Sequence, residues 1–172
     1  RKDVWKQLES IPKNAKVIWM HCASLGEYEQ GLPVLQGLKA SKPDYFFLVT
    51  FFSPSGYKVP SAHGVADLTT YLPWDTKKEM QRFISRVNPK MVLFVKYEFW
   101  PNMIAALHNA SVPLYLIAGQ FRSQQVFFKP WGNSYRKLLK EFQHLFVQNE
   151  QSLTLLHKIG ITHASISGDT RY

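Results

Sequence analysis

Two short stretches of the chain set charged side chains beside glycine, serine or proline, each at the apparent end of an apolar strand. The first is His21-Cys22-Ala23-Ser24-Leu25-Gly26-Glu27. A helix starting here leaves the N–H groups of Ser24, Leu25 and Gly26 available to an anion, and Gly26 lets a ligand approach the backbone closely. Glu27 falls in the first turn, where a carboxylate ordinarily complements the helix dipole. It is expected to stay ionised, as a general base must, but the dipole also weakens its basicity, so a catalytic role requires partial desolvation. The second stretch is Lys96-Tyr97-Glu98-Phe99-Trp100-Pro101-Asn102. Charges at the end of a buried strand must be paired or lie at the rim, which singles out Lys96 and Glu98. Phe99 and Trp100 suit a core edge. In a third stretch, Ser167-Gly168-Asp169-Thr170-Arg171, a turn carries Arg171, which could meet a phosphate or carboxylate bidentately.

Several chemistries are excluded. No G-x-G-x-x-G follows the first strand, and no G-K-[ST] closes a phosphate loop. Ala23 stands where a G-x-S-x-G elbow needs glycine, which argues against Ser24 as a nucleophile. The six histidines (His21, His63, His108, His144, His157 and His163) show no metal-ligand spacing, so no metal site is expected. The single Cys22 precludes an internal disulfide and fits a reducing compartment.

The elements that position these stretches follow from periodicity. Short apolar runs at 17–22, 45–51, 65–72, 91–95, 114–117, 144–147 and 164–166 read as parallel strands buried on both faces. Between them, 27–40, 76–87, 102–109, 134–142 and 149–158 read as helices. Asp75 is the expected N-cap of the helix at 76–87, Pro101 suits a first turn, and Gly160 suits a helix end. The stretch 53–62, rich in Pro, Gly and Ser, reads as a loop. Alternating strands and helices predict an α/β fold, a three-layer Rossmann-like doubly wound parallel sheet with ligands beyond the carboxyl ends of its strands. All three stretches lie there.

The 172 residues form one expected domain and carry 21 Lys and Arg against 12 Asp and Glu, a net charge of +9, which suggests a polyanionic partner. Arg122, Lys129, Arg136, Lys137 and Lys140 are interleaved with Phe127, Phe128, Trp131 and Tyr135. Such a run forms a solvated helix face over core aromatics, or a surface facing an anionic membrane. No recognition motif points to nucleic acid. No run approaches the roughly 20 apolar residues of a membrane span. A chain that starts at Arg1 without Met reads as a piece of a longer protein.

The loops together resemble those of the 3-deoxy-D-manno-octulosonic acid (Kdo) transferases of lipopolysaccharide synthesis. His21 to Glu27 resembles H-x-x-S-x-G-E, and Thr50-Phe51-Phe52-Ser53-Pro54-Ser55-Gly56 resembles T-x-x-[TS]-P-[TS]-G. Tyr71-Leu72-Pro73-Trp74-Asp75, Glu98-Phe99-Trp100-Pro101-Asn102, Gln148-Asn149-Glu150 and the Gly168 to Arg171 turn are similar to further family segments, in family order. The resemblance implies the N-terminal, acceptor-binding half of a GT-B glycosyltransferase over residues 1–172. A C-terminal domain holding most of CMP-Kdo and an N-terminal membrane anchor would lie outside it. It implies transfer of Kdo from CMP-Kdo to a lipid A precursor, with inversion and with neither metal nor cofactor, at the cytoplasmic face of the bacterial inner membrane. Glu27 inherits the role of general base and Arg171 that of the cation steadying transition-state charge. His21, Ser24, Leu25, Gly26, Ser53, Ser55, Gly56, Glu98 and Arg122 inherit substrate contacts. The family often has E-T-E-L-W-P-N where this chain begins with Lys96, a charge reversal that either turns the position toward the donor's carboxylate or phosphate or shifts its role to Glu98. The family's N-A-R-L-S stretch is also altered, to Ala118-Gly119-Gln120-Phe121-Arg122-Ser123. Two other readings stay open, half of a different GT-B sugar transferase and a non-catalytic α/β module for a phosphorylated ligand.

Overall fold

The computed structural model describes residues 3–54 and 64–170. Its strands are β1 (Val17–Cys22), β2 (Phe46–Phe51), β3 (Leu68–Tyr71), β4 (Pro89–Val95), β5 (Leu114–Gly119), β6 (His144–Val147) and β7 (Ala164–Ile166). Its helices are α1 (Val4–Leu8), α2 (Leu25–Ser41), α3 (Lys77–Val87), α4 (Pro101–Asn109), α5 (Asn133–Lys140) and α6 (Glu150–Lys158). A 3₁₀ turn occupies Val126–Phe128. The strands form a seven-stranded sheet in the order β3-β2-β1-β4-β5-β6-β7, parallel throughout. This is the expected Rossmann-like arrangement.

The strands are apolar on both faces because both faces are packed. In β1, Val17 and Trp19 enter the core shared with α1, α3, α4, α5 and α6. Ile18, Met20 and Cys22 enter the core under α2. At Gly31 of α2 a Cβ would come within 2.5 Å of the Met20 sulfur and 3.1 Å of Val95, so glycine brings the helix close to the sheet centre. Pro33 sits inside α2, where it removes one helical hydrogen bond.

Several element boundaries differ from those expected. The third strand is confined to Leu68–Tyr71, because Asp67 turns its carboxylate onto the Phe47 N–H (2.7 Å) and the Lys39 amine (3.0 Å). β4 begins earlier, at Pro89, a strand's first residue being a place that tolerates proline. β5 runs on to Gly119 through a register shift against β6, with Ala118 at φ +51°. Such a bulge re-aims the chain that follows. Gly160, at φ +81°, follows the end of α6 as expected.

Asp75 does not cap α3. Thr76 does, accepting from the Glu79 N–H. Asp75 instead caps α4 across space, accepting the Met103 N–H at 2.9 Å and the Asn102 N–H at 3.2 Å, while the Asn102 amide donates to the Asp75 carbonyl at 2.7 Å. The cap of α4 from its own sequence is Trp100, which offers no side-chain acceptor to the helix, so the carboxylate comes from the loop after β3. Asp75→Ala should therefore lower stability by about 1–2 kcal/mol, read as a drop in the urea midpoint. An unchanged midpoint would sink this account of how the two loops are joined.

Candidate active site

The order of the strands reverses between β1 and β4, the neighbours at the sheet centre. Open α/β sheets bind ligands in the crevice outside such a switch point. The loops that follow β1 and β4 are the ones that carry His21 to Glu27 and Lys96 to Trp100. The loop after β2 joins them through the Ser53 N–H, which donates to the Ala23 carbonyl at 2.9 Å. Two open hollows of about 410 Å³ lie elsewhere, beside Asn88 and Val112 and beside Pro113 and Gln143. They flank the amino ends of β4, β5 and β6, the opposite side of the sheet from a ligand crevice.

Glu27 stands in the first turn of α2 and is 9 % exposed. Its Oε2 accepts the Ala23 N–H at 2.5 Å, a variant of the capping box in which the carboxylate reaches back one residue beyond Ser24. Ser24 makes no side-chain cap, so the opening N–H groups of α2 are not closed off by that hydroxyl. Gly26 is exposed, and a Cβ there would meet nothing within 4 Å. Among the described residues nothing packs against that spot.

Glu27, expected to stay ionised, stands in surroundings that work against its charge. Burial, the Glu98 charge and a hydrogen bond with the Glu98 carboxyl push its pKa up to about 7, against the lowering effects of the Ala23 N–H and of Lys96. The desolvation that a basic role requires is present. The same surroundings push the Cys22 thiol well above its usual value, burial first and then the charges of Glu27 and Glu98.

Glu98 is 5 % exposed and receives two donors on one oxygen. His21 Nε2 lies 3.1 Å from Oε2, and the Trp100 indole N–H donates to the same atom. The other nitrogen of His21 lies 2.8 Å from Thr50 Oγ1, which also accepts the Trp19 N–H at 2.8 Å. Trp19 N–H donates to Thr50, and with the neutral His21 ring protonated on Nε2 the chain continues from Thr50 O–H to Nδ1 and from Nε2–H to Glu98. His21 is fully buried with both nitrogens engaged. The residue expected to contact substrate thus has both ring nitrogens turned to Thr50 and Glu98.

Lys96 has φ +67°. The Tyr97 N–H donates to the Val95 carbonyl at 3.0 Å across it, closing a γ-turn. The amine lies 5.2 Å from the Tyr97 ring centroid. Trp100, expected as core filling, also packs on Phe52 with ring centroids 5.0 Å apart.

The structure thus brings Glu27, Glu98, Lys96 and His21 together, with Ser24, Leu25, Gly26 and Ser53 on the adjoining loops. Arg122 is exposed beyond the β5 bulge, on a loop tied to the β4 loop by a 2.8 Å bond from Tyr97 to Gln120. Ser55, Gly56 and Arg171 lie outside the described residues. Thr50, Trp19 and the hydrogen-bonding side of Trp100 escaped the sequence reading. The available signal was Thr50 itself, a hydroxyl in an otherwise apolar strand that needs a partner once buried. Gln148-Asn149-Glu150 proves to be a helix start, with Asn149 Oδ1 accepting the Ser152 N–H at 2.9 Å.

The fold and the carboxylates at its switch point define a Rossmann-like domain of the kind that forms one half of GT-B proteins. Solved structures with the same fold include a UDP-N-acetylglucosamine 2-epimerase (TM-score 0.67, 14% identity, 92% of this chain and 49% of that one). Another is the Neisseria meningitidis UDP-GlcNAc 2-epimerase bound to UDP-GlcNAc (TM-score 0.63, 16% identity, 91% and 47%). The family model for 3-deoxy-D-manno-octulosonic-acid transferase (kdotransferase) matches residues 2–172, and the chain belongs to that family. Relatives carrying that enzyme's name include one from Rickettsia felis, 26% identical over 91% of this chain and 34% of its own length. The probable mitochondrial enzyme of Arabidopsis thaliana is 30% identical over 68% of this chain and 26% of its own length. The chain spans about a third of the length of such relatives.

Proposed function

We propose that the protein carrying this chain transfers Kdo from CMP-Kdo to a lipid A precursor, with residues 1–172 as the acceptor-binding domain and Glu27 as the general base. The observation that carries this reading is the desolvated Glu27 carboxylate at the first turn of α2, at the switch point of the sheet and beside a second carboxylate. In its ionised form Glu27 takes the proton of an acceptor hydroxyl. The O–H electron pair forms the bond to the anomeric carbon of Kdo, and CMP leaves from the opposite face with the electrons of the broken bond, which inverts that carbon. The donor is held mainly by the rest of the enzyme. Lys96 and Arg171 supply positive charge as the phosphate departs. The step calls for neither metal nor cofactor.

The acceptor is anionic and lies in an anionic inner leaflet. Trp131 (74 % exposed), Tyr135 (46 %), Lys137 and Lys140 are all exposed within one short stretch around α5, a composition suited to the headgroup region at the cytoplasmic face. Among the described residues no helix is long and apolar enough to cross a membrane. The test is to incubate the full-length enzyme with CMP-Kdo and a lipid A precursor and to measure the acceptor's mass. A gain of Kdo supports the reading. Transfer from a different nucleotide sugar only would replace it with another sugar transferase, and no transfer from any donor would favour a binding module.

A further inference from the structure

The hydrogen-bond chain behind Glu98 has no part in the step just described, yet it is built from buried groups on three elements. Trp19 and His21 come from β1, Thr50 from β2, and Glu98 and Trp100 from the loop after β4. Burying a histidine and a carboxylate together is costly unless each is bonded. Here both nitrogens of His21 are engaged, and one oxygen of Glu98 receives two donors. Two donors on one oxygen fix where that carboxyl sits. We propose that Glu98 is a positioning residue, a buried carboxyl clamped by His21 Nε2 and Trp100 Nε1 that holds the surroundings of Glu27 in the one arrangement in which Glu27 serves as base.

This inference rests on Glu27 being the base and assigns what tunes it. The charged and titratable groups facing Glu27 are Glu98 and Lys96 from the β4 loop and Cys22 from β1. The Ala23 N–H and Lys96 pull Glu27 toward ordinary acidity, whereas burial and Glu98 push the other way. A carboxylate at a helix start would by itself be a poor base near neutral pH. Glu98 offsets that weakness, and the clamp fixes where its carboxyl sits relative to Glu27. The line Thr50–His21–Glu98 therefore acts on the reaction without touching the substrate.

The experiment is the pH dependence of kcat and KM in the full-length enzyme, with wild type, Glu98→Gln, His21→Leu and His21→Gln side by side. Glu98→Gln keeps the shape and an amide oxygen for its donors but removes the charge. It should move the acidic limb of kcat/KM down by roughly one pH unit and lower kcat at the optimum roughly tenfold, leaving KM within about twofold. His21→Leu should move both quantities the same way by a smaller amount. His21→Gln, whose amide can still donate to Glu98, should recover most of the loss. Should Glu98→Gln fail to fold, Trp100→Phe, which removes the other donor, replaces it with the same expected direction. A Glu98→Gln enzyme with the wild-type limb and kcat overturns the proposal, as does a loss carried entirely by KM with the limb in place. Glu27→Gln separates the two levels: if it stays active the base reading fails, whereas if it is inert and Glu98→Gln behaves as wild type, only the clamp is wrong.

Discussion

Glu27→Gln should reduce sugar transfer by the full-length enzyme about 10²- to 10⁴-fold, the range that a positioned general base contributes. The amide oxygen of Gln can still accept the Ala23 N–H that now holds Glu27 at 2.5 Å, so the loop stays in place and the loss belongs to kcat rather than KM. In the wild-type enzyme the rate should climb as pH rises through about 7, because only the ionised carboxylate can take the proton. The same substitution has an opposite effect on stability. The folded pKa of Glu27 is raised from 4.5 to about 7, so the folded state binds this proton more tightly than the unfolded chain. The resulting stabilisation is complete below pH 4.5 and lost as pH rises through about 7. Gln has no proton to lose. The stability of Glu27→Gln relative to wild type should therefore increase between pH 4.5 and 7 and level off above that, as read by denaturant titrations at a series of pH values. A constant difference across that range would mean that the carboxylate is not held in desolvated surroundings.

Gly132→Ala should cost about 2–4 kcal/mol and lower Tm by about 5–12 °C. A Cβ at Gly132 would lie 1.9 Å from the Val126 carbonyl oxygen and 3.1 Å from that of Lys129, so it is backbone, not a movable side chain, that must give way. The turn cannot relax easily. The Gly132 N–H donates to Lys129 O at 2.9 Å, and the Arg136 guanidinium donates to the carbonyls of Phe127 (3.0 Å) and Lys129 (2.9 Å). Beneath it Phe127 is buried against Phe99 and Phe121. Opening this knot would also displace Trp131 and Tyr135, so weaker sedimentation with anionic vesicles should accompany the lower Tm. A variant that melts with wild type would show that the turn has room the structure does not reveal.

The parallel sheet was legible because burial on both faces leaves runs such as 17–22 with no polar alternation. The place of Glu27 in the first turn of α2 was legible from the serine and glycine that precede it after a strand, whereas its role as base came only with the resemblance. What escaped was whatever depends on distance along the chain. Asp75 reads as the cap of the helix next to it, and only the fold sets it over α4, more than two dozen residues away. His21 looks like a strand-end ligand, and only burial between β2 and the β4 loop turns it into a support. The raised pKa of Glu27 could not be foreseen because it depends first on burial and then on Glu98, brought alongside by the β1–β4 pairing.

The γ-turn at Lys96 has one more consequence. At φ +67° any residue with a Cβ bears a conformational penalty of about 1–3 kcal/mol, and glycine would be spared it. The penalty is nearly blind to what lies beyond the Cβ, so lysine and glutamate would fit this corner equally well. The site can therefore exchange one sign of charge for the other without reshaping its walls. It is a socket for interchangeable plugs, in which a single residue resets the local field while the architecture stays as it was.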